Sequence, residues 1–453
     1  MKKVLLISAG SGRKNLFGNA NLPNLGLLYI ASMLMHMGFD VEVIDLAIRS
    51  FTTREIVEKA KNCAYVGISC MTWTLDEANE IAKTIRTECP EVKLIVGGPG
   101  ATSIPQYLID TFDWVVVGEG ELAVKAIVER RQAKGIVRSG RDLNWTGAIY
   151  PFRDPSIVPF LHMRDIWPLE IEEQMPTSII GRRGCPFDCS FCESREAWGK
   201  NVVSREPAHV VNEIEYLVTQ GYRSIDWDDL NINLNFRWLM SVCDEIIKRG
   251  LNKHVVMGGL YNPALSHADE IIPAMRAAGW CMLSIGVESP SVSERRRMNK
   301  QAYRGESDPN AIFELCTDNG IATRCLNVIG IPGQTVKDIE ATAEWVKTCS
   351  ATGFRCSSFT PFLASKSGSD PTIQAMVIDH DLRHWDTAHP VLDVGFDQLW
   401  ARKYLMRAFF ENAYLKNRRR MLQHFPEFEV GYRRMEKGFL AANSLIETEN
   451  CLP

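Results

Sequence analysis

The stretch Gly181-Arg-Arg-Gly-Cys185-Pro-Phe-Asp-Cys189-Ser-Phe-Cys192-Glu193 decides how the rest of the chain is read. Its spacing is C-x3-C-x2-C, so three thiols share one short loop. Three thiolates on a cube of four irons leave one iron without a protein ligand, and an open iron can bind a small molecule. Such a loop is catalytic in design rather than a closed structural site. A zinc knuckle would usually draw four ligands from CxxC pairs, and no second CxxC follows here.

The chain has 453 residues, room for two or three domains. With 45% hydrophobic and 23% charged residues, its composition is that of a soluble globular protein. A net charge of −4 gives no general attraction to nucleic acid or anionic membrane, and neither is expected as a partner. Met1-Lys-Lys is followed by only a short apolar run, and Leu25 to Met37 is too short and interrupted to span a bilayer. A cytoplasmic location is expected. The remaining cysteines are scattered, as buried reduced thiols are, and a reducing compartment suits an oxygen-labile cluster.

Residues 1–130 alternate apolar runs with helical segments. The runs are Val4-Leu-Leu-Ile-Ser8, Val41-Glu-Val-Ile-Asp45, Tyr65-Val-Gly-Ile-Ser69, Leu94-Ile-Val-Gly-Gly98 and Trp114-Val-Val-Val-Gly118. Each ends in Ser, Asp or Gly, where ligand loops leave a parallel sheet. The expected fold is a doubly wound, Rossmann-like α/β domain. Residues 131–175, broken by Pro151, Pro155, Pro159 and Pro168, read as a linker. Residues 176–365 resume the alternation with six further runs, which suits a partial (β/α)6 barrel. The cysteines follow the first of these runs and so stand at the carboxyl end of the barrel strands. Residues 366–453 read as a helical C-terminal region, with Phe396, Trp400 and Tyr404 recurring every fourth residue as a face packed on the barrel.

With aromatic Phe191 before the third cysteine, the loop resembles the signature of the radical S-adenosylmethionine (SAM) enzymes. The resemblance implies a 4Fe-4S cluster held by Cys185, Cys189 and Cys192. In that family the open iron chelates the amino and carboxylate groups of SAM, and one electron cleaves SAM to methionine and a 5′-deoxyadenosyl radical. It further implies a low-potential electron donor of flavodoxin or ferredoxin type. Asp228-Asp229, ending the second barrel strand, stands where the family meets the SAM ammonium. Ser284-Ile-Gly-Val-Glu288-Ser289, followed by Met298-Asn-Lys300, resembles the Gly-x-Glu-Ser segment that contacts ribose and methionine. Asn327-Val-Ile-Gly330-Ile-Pro-Gly333 resembles the turn that receives the adenine edge. After Thr360-Pro361 the chain departs from the frequent Gly-Thr ending and continues Phe-Leu-Ala-Ser-Lys-Ser-Gly-Ser.

In the first domain, Gly97-Gly98-Pro99 and Gly118-Glu119-Gly120-Glu121 follow strands. With Pro23-Asn-Leu-Gly26 and Ser69-Cys-Met-Thr72-Trp73 they resemble the cobalamin-binding domain found before many radical SAM barrels. By that resemblance, Gly97, Gly98, Gly118, Glu119 and Gly120 contact cobalamin, and Met71, Thr72 and Trp73 lie beneath the corrin. None of the nine histidines sits in an Asp-x-His-x-x-Gly pattern, so cobalt is expected to lack a histidine ligand. The chain is thus similar to class B radical SAM methyltransferases. The implied activity is C-methylation of an unactivated carbon of a small molecule, through a 5′-deoxyadenosyl radical and methylcobalamin. Two alternatives stay open: a cobalamin-dependent cyclase or ring-rearranging oxidoreductase, and a cobalamin or metal sensor with a structural cluster. A tRNA methylthiotransferase is disfavoured, because Cys63, Cys70 and Cys89 lack cluster spacing and no basic tail is evident.

Overall fold

A computed structural model describes residues 2–10, 22–140, 150–153, 176–300, 309–429 and 432–433. The first sheet contains β1 (Lys3–Ser8), β2 (Asp40–Asp45), β3 (Cys63–Ser69), β4 (Lys93–Gly97), β5 (Trp114–Val117) and β6 (Gly135–Arg138). Every pairing is parallel and the order is β2-β1-β3-β4-β5-β6. Side chains alternate between the two faces, and both faces are covered. Leu5, Ile7, Val66, Ile68 and Leu94 pack under helices Thr53–Ala60 and Leu75–Glu88. Val4, Leu6, Tyr65, Ile95 and Val116 pack under helices Leu25–His36 and Gly120–Val128. This two-sided burial is why the strands read as continuous apolar runs. In this doubly wound order the strand sequence reverses between β1 and β3, and ligands bind where the carboxyl ends part.

The second sheet contains β7 (Pro176–Ile179), β10 (Ser224–Trp227), β11 (Val256–Tyr261), β12 (Trp280–Glu288), β13 (Ala322–Ile329) and β14 (Gly353–Ser358). Its strands are parallel and neighbour one another in chain order, which is an open barrel of six strands. Between β7 and β10 lies a small antiparallel pair, β8 (Arg182–Arg183) with β9 (Val203–Ser204). Trp227 anchors the barrel wall, its ring 5.3 Å from Trp280 and 6.3 Å from Trp238. Gly181 lies between these rings: a Cβ there would stand 2.5 Å from Trp238 Cη2 and 3.1 Å from Trp227 Cζ3.

Two features differ from the sequence expectation. β6 extends the first sheet into the stretch read as linker; four residues at a sheet edge carry too little pattern to be seen. Residues 154–175, with three of the four prolines, lie outside the described residues. In helix Gln398–Ala408 the buried stripe is Gln398, Ala401, Leu405 and Ala408. Trp400 instead faces outward, 40% exposed, and stacks on Tyr404 at 5.4 Å. Small residues let this helix approach β14 and the helix Val336–Thr348 closely, and the turn after it stacks Phe409 on Phe354. Arg418 and Arg420 pair with Glu429 and Asp318. Among the described residues no helix is long and apolar enough to cross a membrane.

Gly181→Ala should overpack the Trp227–Trp238 contact and cost about 1–3 kcal/mol. A chemical denaturation midpoint equal to that of the parent protein would refute this packing argument.

Candidate active site

The cysteine loop is held at both ends and across its middle. At its start, the carboxylate of Asp229 accepts from Gly181 N (2.7 Å), Arg182 N (3.2 Å) and Arg182 Nε (3.2 Å). Cys185 N donates to Gly199 O (3.0 Å), Ser190 N to Met298 O (2.8 Å) and Asn299 Nδ2 to Asp188 O (2.6 Å). Ser367 N reaches Ser190 O at 2.9 Å. Phe191 faces the end of β14, edge-on to Phe359 at 6.3 Å, so it anchors the loop in an apolar cluster.

The thiols of Cys185, Cys189 and Cys192 are half-buried. Burial raises the pKa of Cys185 and pushes Cys189 up to about 11. These thiols therefore need a metal to hold them as thiolates. Asn231 Nδ2 donates to Cys185 Sγ at 3.7 Å and Ser194 N to Cys192 Sγ at 3.5 Å. Lys300 lies near Cys189 and Cys192 and pairs with Glu288 at 2.9 Å. N–H donors and a cation around sulfur suit an anionic cluster. Among the described residues, no three His, Cys, Asp or Glu side chains converge on a single metal ion. A four-iron cube asks for something else, one iron for each sulfur. His380 and His384 have metal-like spacing, but His384 bonds Asp379 at 2.6 Å and stacks on His389.

The other residues expected around SAM divide into two groups. Asp228 faces the cavity described below, while Glu288 and Ser284 stand half-buried on β12. Glu288 has φ +62°, an unusual conformation for a non-glycine residue and one that concentrates at functional sites. Asp228 keeps access to a cavity while protein surrounds it. Burial, with Asp226 close by, pushes its pKa up to about 7. Asp229, Ser289 and Gly330 make hydrogen bonds within the fold, and Asn327 is buried. Asp229 holds the loop as described. Ser289 Oγ donates to buried Glu294 at 2.5 Å, and Glu294 accepts from Gln334 at 2.9 Å. Gly330 N donates to Gln334 Oε1 at 2.8 Å, and Asn327 is buried beside Cys356.

Across from the loop, the first domain has a cavity of about 490 Å³. Its depth is apolar, between Leu6, Tyr65, Ile95 and Val116 of the sheet and Leu34 and Val124 of the helices. Its rim carries Asn24, Met71, Gly97, Gly98, Gly118, Glu119 and Gly120. Asn24 caps helix Leu25–His36 through Leu27 N (3.1 Å) and donates to Ser8 Oγ and Ser69 Oγ at 3.3 and 3.1 Å, joining β1 and β3 at the parting. Thr72 and Trp73 do not line this cavity: Thr72 is buried in the short turn Thr72–Thr74, and Trp73 turns toward Phe362 at 6.4 Å. Gly98 also has a structural role. With φ +94°, its missing Cβ would stand 2.7 Å from Cys70 O, so it lets two backbones approach. Volume, apolar depth and a polar, glycine-lined rim fit part of a large cofactor.

Arg183, Trp198, Ile180 and Asp228 of the second domain line this same cavity. The two sets of strand carboxyl ends therefore face each other. Ser103 Oγ donates to Glu193 Oε1 at 2.7 Å, and Arg205 Nη1 reaches Tyr29 OH at 3.4 Å. Arg183 pairs with both Glu119 (3.2 Å) and Glu121 (2.6 Å). Sequence reasoning missed Asn24, Arg183 and Trp198. The Asn24 cap had a readable signal, a polar residue before a helical run; the pairing of Arg183 across the domains had none.

Residues 19–128 match the model of the B12 binding domain and residues 179–346 that of the radical SAM superfamily. The chain belongs to the radical SAM enzymes that carry a cobalamin-binding domain, with a 4Fe-4S cluster, SAM and cobalamin as cofactors. It is 25% identical over 439 residues to an uncharacterized methyltransferase of Pyrococcus horikoshii, covering 91% of this chain and 93% of the relative. It is 25% identical over 436 residues to the anaerobic magnesium-protoporphyrin IX monomethyl ester cyclase of Rubrivivax gelatinosus, covering 88% and 77%. The solved structure of the radical SAM methyltransferase TsrM from Kitasatospora setae, with tryptophan and a SAM analog bound, shares the fold. Its TM-score is 0.64 at 20% identity, over 83% of this chain and 77% of that one.

Four substitutions probe this geometry. Asp229→Ala leaves buried Arg182 without its carboxylate and should cost about 3–5 kcal/mol in denaturation. Asp228→Asn should stabilise instead. The raised pKa of Asp228 means that its ionised form is disfavoured in the folded state. The gain should therefore grow as pH rises from the ordinary 3.8 toward about 7, then level off. Thermal unfolding of both variants across that range checks the sign. Likewise Gly98→Ala should cost about 1–3 kcal/mol without any cofactor. Gly97→Ala, whose nearest neighbour would be 3.7 Å away, should cost far less.

Proposed function

We propose that this enzyme methylates an unactivated carbon of a small molecule in the cytoplasm, using a low-potential flavodoxin- or ferredoxin-type donor. One observation carries the reading: Arg183 and Trp198, which flank the cysteine loop in the second domain, and Asp228 line the same cavity as the glycine rim of the first domain. When bound there, the cluster and SAM supply a 5′-deoxyadenosyl radical, and cobalamin carries the methyl group.

The chain's own groups hold, orient and enclose. Cys185, Cys189 and Cys192 would ligate the cluster, and Lys300 offsets its negative charge. Asp228 offers an acceptor to a cationic group such as the SAM ammonium, in place of the committed Asp229. Glu288, fixed by Lys300, presents a second acceptor at the end of β12. Met71 and the glycine rim would bear on cobalamin, and the apolar slot would take a flat part of it. Burial of the space between the domains keeps water from a reactive radical.

The similarity to the Rubrivivax cyclase supports a second reading, ring closure without methyl transfer. Product stoichiometry separates the two. Methyl transfer should yield S-adenosylhomocysteine and 5′-deoxyadenosine in equal amounts per methylated product. Ring closure should yield 5′-deoxyadenosine alone. The Cys185→Ala, Cys189→Ala, Cys192→Ala triple variant should lose SAM cleavage yet still take up cobalamin; residual 5′-deoxyadenosine would overturn the cluster assignment.

A further inference from the structure

Arg183 stands two residues before Cys185, on β8, and is 3% exposed. Its guanidinium reaches into the first domain. Nη1 lies 3.2 Å from Glu119 and Nη2 2.6 Å from Glu121, both on the cavity rim of the first domain. Its flat face lies over Tyr29 of the first domain at 5.2 Å and over Trp198 of the cysteine segment at 5.4 Å. Trp198 precedes Gly199, whose carbonyl accepts from Cys185 N. One planar cation therefore joins the rim loop, the helix that starts at Gly120 and both ends of the cysteine loop.

We propose that Arg183 is a positioning residue that couples cobalamin binding in the first domain to cluster assembly in the second. The clasp rests on the cofactor assignment above. Its physical basis is the low dielectric around the pair. A shift of either loop separates buried charges, which is far more costly than separating the same charges in water. The guanidinium fork meets two carboxylates at fixed angles, so it transmits position as well as charge. Cobalamin that settles Gly118–Gly120 fixes Glu119 and Glu121, and these fix Arg183 and the start of the cysteine loop. The reverse holds by linkage: an assembled cluster tightens cobalamin binding by the same factor. Simple interface adhesion would add stability without changing that ratio.

The test uses the full chain and hydroxocobalamin, titrated anaerobically by its visible absorbance, with and without the reconstituted cluster. The parent protein should bind cobalamin on the order of tenfold more tightly when the cluster is present. Arg183→Met should still bind it, with the increment reduced to less than about twofold. Glu121→Gln, on the more exposed carboxylate, should reduce the increment too and stands in if Arg183→Met fails to fold by circular dichroism. Arg183→Lys, which keeps the charge but not the fork, should restore only part of it. An increment that persists in both Arg183→Met and Glu121→Gln, or its absence in the parent protein, would overturn the coupling alone. Failure of the parent to bind cobalamin in either state would overturn the cofactor assignment as well.

Discussion

A single buried carboxylate sets the frame of the active site. Asp229 has no access to solvent and accepts three N–H groups from Gly181 and Arg182. Burial raises its pKa, and Arg182 and the backbone donors oppose that rise. The charge is tolerated because the chain bends to meet it. That bend turns β7 into β8, aims Arg183 at the first domain and brings Cys185 onto the barrel mouth. Arg182 is further held by the carbonyls of Asn231 and Ile232 and lies over Trp238 at 4.6 Å. The entry to the cysteine loop is therefore as rigid as the barrel wall.

Much of the design was legible because its determinants are local. Three thiols within one loop state their purpose by spacing alone. Strands buried on both faces show as unbroken apolar runs, so both sheets and the position of the cysteines could be read. What could not be read depends on long-range partners. Asp228 and Asp229 are adjacent and chemically identical, yet one faces a cavity and the other is consumed by backbone donors 47 and 48 residues away. Ser289 matched a motif, but its hydroxyl serves Glu294. Trp400 followed a helical period, but the small residues Ala401 and Ala408 gave the closer packing. Gly98 lines the cavity rim and also makes room for the backbone of Cys70, a second duty that its sequence context did not reveal.

The division between the two domains follows from parallel sheets. Each sheet releases its loops at the carboxyl ends, and each presents backbone groups and glycine turns there. Setting those ends face to face places two loop systems around one space. Contacts across it are polar and specific rather than broad and oily: Ser103 with Glu193, Arg205 with Tyr29, and Arg183 with two glutamates. An apolar patch of Tyr29 and Ile180, with Leu25 and Val203 beside it, supports them.

The segment that follows β14 has a double allegiance. Ala364 N donates to Glu193 at 3.2 Å, Ser367 N to Ser190 O at 2.9 Å, and Lys366 pairs with Asp188. Phe362 and Leu363 pack beside Phe191 and Phe359. This is also the stretch where the sequence departs from the Gly-Thr ending that the family resemblance implies. The six-stranded sheet is open, with β7 and β14 at its edges, and this segment spans from the last strand to the loop after the first. Its side chains and its main chain carry different duties: Phe362 and Leu363 fill the apolar cluster around Phe191, while the main-chain donors of Ala364 and Ser367 stitch the far edge of the open sheet to the cysteine loop.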